Sequence, residues 1–215
     1  DNDSPTGALL STRYSGEYIS FGTGENNLYR IVSHENGAGT KITSAIPLKD
    51  SGSYKKLTFG SNTTFSKDNT IGAFLNGDYL TSGTYLTSDQ VNMIEDNTTW
   101  YLGTVGIGAN YKLAKYQDTT GSNLTTSTTT AKVGLLRLGE LMAGQFDKYG
   151  NNTNYWILTP YNASIVRYVN LNGYSVSNSP TTSNSPRPAM NLKSNVIITG
   201  GKGTAREPFT IKLGS

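Results

Sequence analysis

A chain of 215 residues can bury one good core or divide into two small domains. Only 35% of its residues are hydrophobic and 15% charged, and the net charge of +3 is spread without a basic run, so a nucleic-acid partner has no support. With one histidine and no cysteine, zinc catalysis and a disulfide framework are both excluded.

Asn, Ser, Thr, Gly and Tyr supply the remaining composition. These side chains make hydrogen bonds on turns and strand surfaces without ionic solvation, which suits a β-rich extracellular protein. A cysteine-free chain of this kind fits a Gram-positive bacterial surface better than an oxidising eukaryotic compartment. No apolar stretch approaches the roughly 18 residues of a membrane helix. The start at Asp1 instead of Met leads us to expect that a signal or anchor has been removed.

Residues 1–16 read as a linker or N-terminal arm, and 17–215 as a single domain. From Glu17 the pattern alternates: "EYISFG" and "NLYRIVS" are short strands, and "HENGAG" is a hairpin loop holding Asn36-Gly37. "KITSAIPL" continues the meander. In "NTIGAFLNGDYL" the period changes, and Ile71, Phe74 and Leu75 share one helical face. "TSDQVNMIEDN" begins a second helix, with Thr87 and Gln90 spaced as a capping box and Val91 and Ile94 as its buried stripe. The Thr/Ser-rich residues 118–130 read as a surface loop. A third helix starts near Arg137 and carries Leu138, Leu141 and Met142.

Past Asn151 the chain returns to β. Trp156, Ile157 and Leu158 form a continuous apolar run, so that strand is expected to be covered on both faces. Val169 and Leu171 are placed opposite Tyr174 and Val176 across an Asn172-Gly173 turn. "NVIIT", "GGKG" and "PFTIKL" predict a closing hairpin over Asn195–Leu213, turning at Gly200–Gly203, in one sheet with Tyr29–Ser33 or Val166–Asn170. Strands, short helices and strands again give an α+β layout, with helices packed on antiparallel sheet.

Three stretches carry a resemblance: "YRIVS" with "IGAFLNGDYL", "VGLLRLGEL" with "YWILTPY", and "RPAMNLKSNVIITGGKGTAREPFTI". Together they resemble a family of uncharacterised bacterial surface modules, the DUF6273-type domain, over roughly Glu17 to Leu213. That family is in turn similar to the formylglycine-generating-enzyme and C-type-lectin-like fold. The resemblance implies antiparallel sheets with two or three short helices and long loops, in adhesin or pilin-like surface proteins. It also implies a structural Arg187, whose guanidinium satisfies buried carbonyls or a carboxylate beneath the closing hairpin. The reactive cysteines of formylglycine-generating enzymes are absent, so that chemistry does not transfer.

The candidate ligand-binding residues are Tyr161, Tyr168, Tyr174 and Asn178. Tyrosine offers a large ring and a hydroxyl at low entropic cost, and its polar neighbours add adaptable hydrogen bonds. Trp156 is read as core. Glu95, Asp96, Glu140 and Asp147 are weighed as a glycosidase pair or a calcium site and read instead as isolated surface carboxylates at helix ends. His34 lies in a hairpin loop with no nucleophile elbow near it. A Lys–Asn isopeptide bond would suit a cysteine-free surface protein, with Lys193 and Asn195 in strand-like context, but it also requires a buried carboxyl group.

The expected function is therefore a non-enzymatic binding or adhesion module outside a Gram-positive cell, without cofactor or metal. It would recognise a host or environmental glycan or protein. A structural subunit of a pilus-like appendage, contacting other subunits, and a surface glycoside hydrolase are the alternatives.

Overall fold

The structure is a computed structural model and describes residues 5–34, 39–106, 127–143 and 152–215. Strands β1 (Tyr18–Ser20), β2 (Leu28–His34) and β3 (Thr40–Ser44) form the expected meander. The proposed turn at Asn36-Gly37 lies outside the described residues. Three two-residue strands follow, β4 (Lys49–Asp50), β5 (Ser53–Tyr54) and β6 (Leu57–Thr58).

Helix α1 (Thr70–Asn76) buries Ile71 and Leu75. Gly77 ends it with a non-helical backbone, and α2 (Asp78–Thr81) continues in a new direction. In α3 (Ser88–Asn92) the Thr87–Gln90 capping box is present in both directions. Then come β7 (Thr98–Tyr101), β8 (Thr128–Ala131), β9 (Gly134–Leu135) and α4 (Leu138–Ala143).

The last third holds β10 (Tyr155–Pro160), β11 (Val166–Val169), β12 (Ser175–Asn178) and β13 (Ser183–Asn184). It closes with β14 (Pro188–Asn191), β15 (Val196–Gly200) and β16 (Thr210–Leu213). The chain is thus an α+β protein of mostly antiparallel strands in several small sheets, with few short helices. Among the described residues no helix is long and apolar enough to cross a membrane.

The largest sheet has the order β1-β2-β3-β14-β9. Its centre, β3, is buried at all five positions: Ile42 belongs to the core, and Lys41 is covered by Glu140 of α4 and Trp100 of β7. Strand β14 arrives from the far end of the sequence and pairs Met190 with Ile42. A second sheet, β10-β11-β12, lies beside it. Strand β10 is buried at all six positions. Alternation sends Trp156 and Leu158 into the main core, and Tyr155 and Ile157 into a smaller cluster with Val105, Leu138 and Val169.

Several expectations need correction. The hairpin β15–β16 forms, but as a two-stranded sheet of its own; a single bridge from Phe209 to Ile19 ties it to β1. Its strands are joined by a loop of nine residues, 201–209, longer than the expected turn over Gly200–Gly203. Residues 128–130, read as loop, are strand β8 paired with β7, and 107–126 lie outside the described residues. Met142 is 73% exposed, because it sits one position round α4 from Leu141, which packs on the core. The described part of the N-terminal arm is docked: Leu10 is buried, and Gly7 and Ala8 exchange hydrogen bonds with Ile198.

Candidate binding face

The β11–β12 hairpin carries most of the sequence-predicted site. Its register pairs Tyr168 with Val176 and Val169 with Ser175. This corrects the expected facing of Val169 and Leu171 with Tyr174 and Val176. The reason is the loop: Leu171, Asn172 and Gly173 are all in the turn, with Gly173 at φ +82°. Asn170 shapes that turn, since its Oδ1 accepts from the backbone N–H of Asn172 and of Tyr174, each at 3.0 Å.

Burial falls off across one face of this sheet. Trp156 on β10 is fully buried, and its Nε1 donates to the Leu57 carbonyl at 3.0 Å. Tyr168 on β11 packs edge-on against it, with ring centroids 5.9 Å apart, and is half-buried. Beyond Val176, Tyr174 is 66% exposed and Asn178 is exposed. By strand alternation Tyr168, Tyr174 and Asn178 lie on this side.

Tyr161 lies on the other side. The Arg167 guanidinium stacks 4.9 Å from its ring centroid, donates from Nε to the Val105 carbonyl at 2.7 Å, and reaches Ser175 Oγ at 3.1 Å. The four candidate residues therefore flank one hairpin and do not form one patch. The edge of that hairpin went unread in the sequence. Asn170 N–H donates to the Tyr174 carbonyl, so alternation makes Tyr174, Val176 and Asn178 the residues bonded to β11. The backbone groups of Ser175 and Ser177 point the opposite way. Among the described residues no strand pairs with that side of β12.

The other polar candidates are held by the fold. His34 Nε2 donates to the Arg13 carbonyl, which leaves Nδ1 to accept from Thr40 Oγ1 at 2.9 Å. Arg187 is buried, donating to the carbonyls of Ser44 (2.8 Å) and Ala45 (3.4 Å) and to the Tyr155 hydroxyl (3.1 Å). It braces the end of β3 against β10. Asp96 is exposed, Glu95 is half-buried, and Asp147 lies outside the described residues.

Glu140 corrects the surface-carboxylate reading. Its side chain is buried, 2.9 Å from Lys41 Nζ and 3.8 Å from Arg137 Nε, and it accepts from the Arg137 backbone N–H at 2.9 Å. Burial pushes its pKa up, but the Lys41 and Arg137 charges outweigh that and hold it below the ordinary carboxylate value. The Lys193–Asn195 isopeptide pair is corrected too: Asn195 is exposed in the turn before β15, and its amide donates to the Gly214 carbonyl.

An open cleft of about 410 Å³ lies away from the hairpin, between β1 and the loop at Gly203–Ala205. Its polar groups are engaged by the chain itself. Arg30 stacks 4.3 Å from the Tyr18 ring centroid and donates to the Gly16 carbonyl, while Glu17 accepts from Arg13 and the Tyr14 backbone. No protein-family model, curated protein or solved structure matches the chain.

Proposed function

We propose that this chain is a non-enzymatic binding or adhesion module of a Gram-positive cell surface, with the β11–β12 hairpin as its ligand-facing element. The observation that carries this reading is the juxtaposition of the exposed Tyr174 with a polar edge of β12 that no strand among the described residues pairs with. An edge of this kind binds an extended peptide through main-chain hydrogen bonds, and an adjacent tyrosine adds contact area for peptide or sugar. The engagement of His34 by Arg13 and Thr40 supports a role without catalysis on a ligand. The C-type-lectin-like fold belongs to the same proposal; it rests on the motif resemblance together with antiparallel sheets and few short helices.

The test is a glycan and protein array probed with the purified chain, followed by Tyr174→Ala and Ser177→Pro. The Ser177 N–H points away from β11, so proline there blocks an incoming strand without breaking the hairpin. Each variant is expected to keep the parent's melting temperature, and Tyr174→Ala to weaken binding by about tenfold or more. If both fold and bind as the parent does, the ligand surface is elsewhere. The same open edge supports a second reading, a pilus-like subunit whose copies pair along β12. Concentration-dependent association that Ser177→Pro abolishes would favour it over a free adhesin.

A further inference from the structure

On the central sheet, Lys41 of β3 stands directly opposite Asn191 of β14. Leu192 N–H donates to the Thr40 carbonyl, so the neighbouring Lys41–Asn191 pair is of the non-hydrogen-bonded kind, whose side chains stand closest. Cβ atoms in such a pair are about 4.5–5.5 Å apart and on one face. Both residues are 5% exposed. Lys41 Nζ lies 2.9 Å from Glu140 Oε2 and 5.1 Å from the ring centroid of the fully buried Trp100. Asn191 Oδ1 is buried without a hydrogen bond, a costly state for an amide. An amine in contact with a carboxylate thus stands on one face of the sheet, on the residue directly opposite a buried, unsatisfied carboxamide.

We infer that Lys41 and Asn191 are the two halves of an intramolecular isopeptide bond, with Glu140 as the proton carrier. Glu140 takes a proton from the Lys41 ammonium, and the freed Nζ attacks Cγ of Asn191. The tetrahedral centre then collapses. A second proton passes from Nζ through Glu140 to Nδ2, the Cγ–Nδ2 bond breaks, and ammonia leaves, carrying away the ammonium's extra proton. One carbon–nitrogen bond forms and one breaks. No oxidant or further reactant is needed, and Glu140 ends as it began.

The energetics run in the same direction. A buried ion pair is a poor stabiliser because desolvation offsets its attraction. The amide replaces a buried ammonium and an unsatisfied carboxamide with one neutral group. Arg137 opposes the first proton transfer by stabilising the Glu140 carboxylate, so the bond is expected to form slowly after folding. Once formed it would tie β3 to β14, strands from opposite ends of the sequence, at the middle of the main sheet. That is a useful restraint for a protein pulled at its surface.

Intact-mass spectrometry and peptide mapping of the folded chain, followed over days, test the proposal. The expected result is a mass lower than that of the sequence by one ammonia, and a branched peptide joining the segments that carry Lys41 and Asn191. Asn191→Ala and Glu140→Gln should both keep the full mass. Full mass in the aged wild-type protein, or an ammonia loss that maps to other residues, overturns the bond. Equal linking in Glu140→Gln overturns the role given to Glu140. The wild-type peptide map decides even where a variant fails to fold.

Discussion

Trp156→Ala is expected to lose about 3–5 kcal/mol of stability, the usual cost of truncating a buried large aromatic. In a chain of this size that corresponds to a melting temperature lower by roughly 10 °C. Three contributions add. The ring fills main-core space beside β10, in edge contact with Phe59 at 5.6 Å and Tyr168 at 5.9 Å. Its removal leaves a cavity where strand β10 is covered on both faces. It also strips the Leu57 carbonyl of its donor. Trp156→Phe should fall between the two, keeping most of the volume but not the hydrogen bond. Differential scanning calorimetry on the three proteins checks the order, and a Trp156→Ala protein that melts like the parent would remove Trp156 from the core.

Gly39→Ala should be at least as damaging, for a different reason. A Cβ at Gly39 would lie 1.4 Å from the Leu192 carbonyl oxygen and 2.6 Å from its carbon, both backbone atoms. Neither can swing aside as a side-chain tip would. Relieving the overlap means separating β3 from β14 beside the Thr40–Leu192 hydrogen bond. We expect a loss of about 3 kcal/mol or more. Gly60→Ala is the control, because its Cβ would meet nothing nearer than 3.7 Å. Chemical denaturation should place Gly60→Ala close to the parent; equal midpoints for Gly39→Ala and Gly60→Ala would refute the steric argument.

The two glycines look alike in the sequence, and that shows where sequence reading stops. Nothing around "NGAGT" announces that a strand from residue 188 onward will press against Gly39. The same limit hid the pairing of Lys41 with Asn191 and made Glu140 look like an ordinary helix-end carboxylate. Of the candidate site, the hairpin itself was legible, because Asn172-Gly173 between alternating residues is a local signal. Its register was not, since a two-residue and a three-residue loop differ only in whether Leu171 joins the strand. The open side of β12 could not be read either, because an edge is defined by the strand that fails to arrive.

What the sequence determined by itself was whatever depends on near neighbours. The Ile71, Phe74 and Leu75 face, the Thr87–Gln90 box, the meander from Tyr18 to Ser44 and the twice-covered β10 all follow from periodicity, capping and turn chemistry within about a dozen residues. Tertiary structure alone decided the insertion of β14 between β3 and β9, the separation of β15–β16 as its own sheet, and the burial of Lys41 against Glu140 and Trp100. These arrangements join residues far apart in the chain. They are selected by which packing buries the most apolar surface while satisfying the polar groups caught inside, and no local window contains that comparison.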